Sequence, residues 1–510
     1  MQNPARKVIQ VVALAALGLA GCASTPQTGV NVAASPDMPW LQRLSFGVNS
    51  TVLAQYRKLG RNGFLESQLQ PPDERLPEAV ARDIAQLGIG QVDARQLVLG
   101  IAAEQKRING LPDGPDKQAA RQKLNDQGNQ AAYEARRREL LRAIYSPAQL
   151  KEQMVWFWLN HFSVYEQKAN VRWLMGDYSE RAIRPHALGH FRDLVMATLE
   201  HPAMLQYLDN AQNAGGHINE NYARELMELH TLGVDAGYSQ HDVQELARVL
   251  TGVGIGGPDE PKLRPELRGY YVRDNAFEFN PARHDFGPKS LLGHALTHHG
   301  FAEVSEAVEL LVHQKACARF ISRKLAVYFG GDDPPAPLVE RMAQTFQDSD
   351  GDIAAVLRTL FTSRELAALA GHKFKDPMQY VVSAVRLAYD TRLIQNMHPV
   401  TGWLVALGEP EFGHQTPDGY SAQNAAWSSS GQMSRRFEIA RTIGAGSAGL
   451  FDPENGGPAT VVGFPLLTTP VYYEVLEPSL STQTRTALQG ARSQQEWNLY
   501  LLASPEFNSR

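Results

Sequence analysis

The chain of 510 residues has only two cysteines, Cys22 and Cys317. Cys22 is expected below to be lipidated, so no intramolecular disulfide is available and the fold must rely on its core. No Gly-rich phosphate loop follows an expected strand, which leaves nucleotide binding without support. No basic stripe is present and the formal net charge is −5, a poor match for nucleic acid. There is no His-Glu-x-x-His motif, no paired Glu-x-x-His of the bundled di-iron type and no Gly-x-Ser-x-Gly elbow. Internal repeats are also missing.

What is present begins with a targeting segment. Arg6 and Lys7 precede an apolar run from Val8 to Leu19. About a dozen residues suit a signal peptide and fall short of a permanent membrane span. The run stops at Leu19-Ala20-Gly21-Cys22, which resembles a bacterial lipobox. The expectation is a lipoprotein signal peptide over residues 1–21, removed so that Cys22 carries the acyl chains that hold the protein to a membrane. Ala23 follows the Cys, which by resemblance to proteobacterial lipoproteins favours the outer membrane of a Gram-negative cell. Loss of the leader removes two positive charges and moves the net charge from −5 to −7.

Residues 22–39 are small, polar and Pro-bearing, as a flexible tether requires. An N-terminal helical region is expected over 40–145 and a helical core over 146–510. Asp116–Ile144 reads as an exposed helix or helical hairpin, with Arg136, Arg137 and Arg138 on a solvated face. Gln149–Phe162 contains MVWFWLNHF, an aromatic segment that must be buried. Ser239 and Asp242 form a capping pair before Val243, Leu246, Ala247 and Leu250. Residues 253–300 read as irregular, with short strands at 269–273 and 276–279. Further helices are expected at 303–329, 335–348, 351–361, 376–390, 430–444 and 493–503. The fold class is mainly α: one large helical domain with loop-rich insertions and little sheet.

The polar segment Asn219–Gly233, NENYARELMELHTLG, stands out among apolar surroundings. Polar groups in such a place must be paired or must bind something. At 100° per residue, Asn221, Glu225 and Glu228 lie within about 60° of one another, whereas His230 lies about 140° from Glu225. A metal or acid–base site would therefore join Glu225 or Glu228 to His161, His284 or Asp285. Two imidazoles and a carboxylate suit Zn or non-haem Fe. The same residues admit a structural reading. Arg224 and Glu228 are spaced to pair, Glu225 could meet Arg248 or Arg319, and His161 could bond a carbonyl. Asp348–Asp352 is a turn and cap rather than a calcium loop, because its twelfth position is Thr359. His294, His298 and His299 read as an exposed turn, and Ser428–Ser430 as a helix cap.

Several stretches together carry a family resemblance. They are Trp158-Leu159-Asn160-His161-Phe162, the segment Asn219–Gly233, Ala247-Arg248-Val249-Leu250-Thr251-Gly252, His284-Asp285 with Lys289, Ala318-Arg319-Phe320-Ile321 with Arg323-Lys324-Leu325, and Leu502–Phe507. With these the chain resembles the bacterial family called domain of unknown function 1800. Two positions depart from its pattern: Leu159 where a His is expected, and Tyr420 where a Trp should follow Gly419. The family has no settled biochemical role. The resemblance implies export and a partner among secreted proteins of the sulfatase and alkaline-phosphatase-like type. Two functions follow as expectations. One is a metal- or carboxylate-dependent enzyme acting on envelope or extracellular material. Its catalytic groups would be Glu225, Glu228, Arg224 and Lys289, and its metal ligands His161, Glu225, His284 and Asp285. The other is a non-catalytic envelope binding or scaffold protein serving that sulfatase-like partner.

Overall fold

The computed structural model describes residues 37–510 except 370, 455, 459 and 461. The signal peptide, Cys22 and nearly all of the tether lie outside the described residues. Among the described residues, no helix is long and apolar enough to cross a membrane.

The architecture is mainly α, and the strands are short. Val253–Ile255 (β1), Val272–Asp274 (β2) and Phe277–Phe279 (β3) form an antiparallel sheet with β3 in the middle. Ser290–Leu291 (β4) and His294–Ala295 (β5) form a small hairpin. The two strands expected from sequence appear at β2 and β3, shifted because Pro265–Tyr270 winds into a 3-10 helix first. Caps fall where short polar side chains predict them. Ser239 and Asp242 bond reciprocally at the start of Gln240–Val249. Ser429 accepts from the amide of Gln432, and Asp352 from that of Ala355. The aromatic helix starts at Gln149, and Ser146 closes the helix before it.

The long polar segment is one helix, Pro115–Tyr145, opened by Pro in its first turn. Its three-arginine run is not a solvated face. Arg137 and Arg138 are buried, Arg136 pairs with Glu166, and Arg137 pairs with Asp83 at 2.7 Å. Sequence reading missed this because low hydrophobicity was taken for exposure, whereas a guanidinium can enter a core when acceptors meet it. Next to this run, Arg184 bonds Glu139 at 2.7 Å and Glu152 at 2.9 Å, with all three side chains buried.

The N-terminal helix Met38–Arg43 is threaded into the distant half of the chain. Trp40 donates its indole N–H to the carbonyl of Phe361 at 2.9 Å. The buried guanidinium of Arg43 bonds the carbonyl of Leu366 at 2.7 Å and that of Leu369. Arg386 bonds the carbonyls of Gly47 (2.9 Å) and Ile144, and Asn49 Oδ1 at 3.1 Å. Arg436 reaches Asn508 Oδ1 at 3.0 Å and the carbonyl of Lys375 at 2.7 Å. Burial pulls these three guanidiniums down to about 10, 9 and 10 respectively. They remain cations at neutral pH.

Burial by itself would raise the Glu139 carboxyl, but Arg184, Arg138 and Arg142 outweigh it and hold the group at about 2. A depressed carboxyl stabilises the fold above its unfolded pKa and loses that contribution as pH falls towards the folded value. Arg184→Ala should therefore cost about 3–5 kcal/mol at pH 7, since buried Glu152 loses its ion pair and Glu139 the closest of its three cations. Urea denaturation at pH 7 and pH 3 checks both points, because the penalty should shrink at the lower pH.

Candidate active site

The motif Trp-Leu-Asn-His-Phe closes the aromatic helix Gln149–His161, and each polar group in it has a separate task. Trp158 is fully buried and donates to the carbonyl of Ala187 at 2.9 Å. Asn160 grips the late loop by its backbone: Nδ2 donates to the Tyr420 carbonyl at 2.8 Å, and Oδ1 accepts from the Tyr420 amide at 2.6 Å. The approach is so close that a Cβ on Gly419, whose φ is +72°, would sit 2.1 Å from the Asn160 carbonyl oxygen. Only glycine fits there. Leu159, at the position where a His was expected, is buried beside Trp156, Phe412 and Tyr420.

His161 is held at both ring nitrogens. Nε2 lies 3.0 Å from the carbonyl of His230, which can only accept, so this nitrogen carries the proton. Nδ1 is then the acceptor for Lys324 Nζ at 2.8 Å. Lys324 comes from the helix Lys315–Phe329, and its ammonium also stands 5.3 Å over the ring of Phe320. Among the described residues, His161 is its only hydrogen-bond partner and no carboxylate pairs with it. Its side chain is reached from a cavity yet surrounded on most sides by protein, and this burial lowers its pKa to about 8, with Asp418 pulling weakly the other way. Burial, then Lys324 and His230, drive His161 well below the usual imidazole range, so the ring is neutral.

The cavity has a volume of about 400 Å³. Trp156, Phe157, Phe320 and Tyr328 wall it on one side, and the loop 418–423 on another. Arg323 and Asp418 also line it, together with Asp376 and Glu409. Glu409 is buried and accepts from the Met378 amide at 2.9 Å. Burial, reinforced by Asp376, raises its carboxyl well above the ordinary range.

The signature segment lies behind this cavity. It is an α-helical turn, Asn221–Glu225, that widens into a π-helix, Leu226–Thr231. The wide turn shows in the Leu232 amide, which reaches back to the Met227 carbonyl at 2.9 Å. It alters the register assumed for a regular α-helix and brings the His230 carbonyl onto His161. The His230 ring stands 6.0 Å from that of His161, and neither of its nitrogens has a hydrogen-bond partner among the described residues. Burial, followed by Lys324, lowers its pKa to about 3. A π turn with a polar group facing inward is a frequent companion of functional sites.

The expected metal ligands do not gather into one set. His284 lies in a second buried cluster, bonded to the Thr251 carbonyl at 2.8 Å and 3.1 Å from Glu303. Asp285 is engaged by Arg248 at 2.8 Å. Lys289 is saturated by Glu303 at 2.9 Å and by the carbonyls of Asp285 and Gly287, which leaves it no free donor for a ligand anion. His161 could bind a metal only by giving up Lys324 or the His230 carbonyl. Arg224 pairs with Glu220 (3.2 Å) and Glu228 (3.4 Å), as its spacing suggested. Arg248 and Arg319 pair elsewhere, with Glu245 and Glu340, so neither meets Glu225. Among the described residues, half-buried Glu225 has no ion pair; burial, Glu228 and Asp418 raise its carboxyl. Among the described residues, Glu309, His313 and Asp350 are the one set with metal-like convergence, and His313 and Asp350 are exposed. The residues missed by sequence reasoning are Lys324, Tyr420 and Glu409. The first two stood inside quoted motifs, but nothing local says that a Lys on a helix meets His161 or that a Tyr on a remote loop meets the neighbouring Asn160.

Asn160→Ala removes both bonds to the loop and should cost roughly 1–3 kcal/mol, with Gly419→Ala at least as damaging. Urea titration followed by Trp fluorescence checks this. His161 and His230 both titrate lower in the folded state. Their contribution is complete above the unfolded imidazole pKa near 6.5 and is lost as pH falls below it. His230→Phe should therefore flatten the fall in stability between pH 6.5 and 5 by up to about 1.4 kcal/mol per pH unit. Thermal melts of both proteins across that range provide the measurement.

No curated protein and no solved structure matches the chain. A family model, described as protein of unknown function (DUF1800), matches residues 39–509. That span takes in every element of the cavity, from Trp156 to Gln423, and the chain belongs to the DUF1800 family.

Proposed function

We propose that this protein is an exported, lipid-anchored envelope enzyme whose working centre is the His161–Lys324 pocket. Its ligand is a small organic molecule bearing an oxyanion, and its chemistry is proton transfer through Lys324. The observation that carries the reading is the 2.8 Å bond from Lys324 Nζ to His161 Nδ1 at the wall of an aromatic cavity. A lysine in such surroundings is costly unless it is paired. An imidazole accepts one N–H but does not neutralise the charge. Lys324 lines the cavity, and an anion there would complete its remaining donors. A pKa of about 8 also places the amine where it can give up and regain a proton near neutral pH. Carboxylate-dependent catalysis passes from Glu225 to Glu409, because Glu409 lines the cavity and burial raises its carboxyl. The membrane anchor rests on the Leu19–Cys22 lipobox.

The test is thermal stabilisation of the purified protein by acetate, pyruvate and inorganic phosphate. At least one should raise the melting temperature saturably in wild type and have no effect on Lys324→Met. Lys324→Met should itself melt no lower than wild type, since it removes an uncompensated charge; a lysine kept for structure would cost stability instead. Failure of all three anions, or equal binding by Lys324→Met, overturns the reading. Separately, Cys22→Ser should abolish incorporation of labelled palmitate and release the protein from membranes.

A further inference from the structure

We propose that Lys324 is a covalent carbonyl trap: its amine forms an imine with a small aldehyde or ketone, and a 2-oxo acid is the class that fits the cavity best. This inference rests on the pocket reading above and adds the bond that is made. Three features carry it.

The first is the orientation of the amine. In its neutral form Nζ has two hydrogens and one lone pair. One hydrogen is committed to His161 Nδ1, which can only accept there because Nε2 donates to the His230 carbonyl. The lone pair and the second hydrogen are left for the cavity. A carboxylate partner would have locked the nitrogen as an ammonium; the neutral imidazole does not.

The second feature is a proton donor in the same cavity. Attack of the lone pair on the carbonyl carbon places the electron pair of the C=O bond on oxygen, and that oxygen takes one of the two amine protons to give a carbinolamine. Loss of its hydroxyl needs a further proton, supplied by the carboxyl of Glu409. The hydroxyl departs as water, the nitrogen lone pair closes the C=N bond, and the N–H proton given up restores Glu409. The sum is amine plus carbonyl giving imine plus water, with no oxidant or reductant. Glu409 suits this work because it is buried, lines the cavity and has one oxygen fixed by the Met378 amide.

The third feature is a cation at the rim. Arg323, the residue before Lys324, lines the cavity, is exposed and forms no ion pair among the described residues. It is placed to take the carboxylate of a 2-oxo acid whose carbonyl carbon lies against Lys324. Trp156, Phe157 and Tyr328 supply the apolar walls that exclude water from an imine.

The experiment incubates the full-length protein with pyruvate and sodium cyanoborohydride, then measures intact mass and maps the adduct by peptide sequencing. The expected result is one reduced adduct per chain, located at Lys324 and absent in Lys324→Met. Glu409→Gln should label at least about tenfold more slowly, the lower range of general-acid effects being larger still. Arg323→Ala should need more pyruvate for half-maximal labelling yet reach the same extent. Labelling spread over exposed lysines with Lys324 unmodified overturns the inference. If pyruvate raises the melting temperature and leaves Lys324 unlabelled, the imine fails and the anion pocket stands. If it does neither, and acetate and phosphate also fail to stabilise, both fall.

Discussion

The structure depends on giving buried cations enough acceptors. Arg43, Arg386 and Arg436 lie inside the domain, and much of what they bond is backbone carbonyl or side-chain amide oxygen rather than carboxylate. A guanidinium offers five donors in a rigid plane, so one side chain can bind segments that are far apart in sequence. Arg43 ties the first helix to the segment around Leu366, and Arg386 joins Gly47, Asn49 and Ile144. Such a bond costs desolvation, which explains the lowered pKa of each, but it substitutes for the cross-links that a chain with one free buried cysteine among its described residues does not have. Where acceptors run short, the same physics produces a site. Lys324 receives a single imidazole and opens onto a cavity.

The helical class could be read from the chain because caps and apolar spacing are local signals. Ser239 with Asp242, Ser429 and Asp352 each act as caps where short polar side chains precede apolar runs. The buried arginines could not be read so easily. Arg137 and Arg138 look like solvent-facing residues until Asp83 and the Gly176 carbonyl, both on other helices, are placed beside them. The same holds for the candidate site. His161 and Asn160 were visible as an unusual polar pair in an aromatic helix. Their partners, Lys324 and Tyr420, lie 163 and 260 residues away. The signature segment misled in one respect: regular α-helical angles assign His230 to a separate face, while the π turn delivers its carbonyl to His161.

That π turn links the two halves of the site. It fixes the tautomer of His161 through a backbone oxygen and keeps the His230 ring neutral in the interior. His161 thereby becomes a fixed acceptor rather than a proton reservoir, and the titrating role passes to the lysine. The His284, Asp285 and Lys289 group looks similar in composition but behaves oppositely. Its charges satisfy one another, and it braces the loop between the sheet and the helix Phe301–Val312.

The grip of Asn160 on the late loop uses only the amide and carbonyl of residue 420. The side chain at that position therefore has no part in the bonds to Asn160. Tyr420 can hold its hydroxyl on the Pro410 carbonyl at 2.8 Å, and a different ring could stand there without moving the backbone. Attachment and selectivity are thus separable in this cavity. One residue can be exchanged to reshape the chamber, while the two backbone bonds between loop and helix stay as they are.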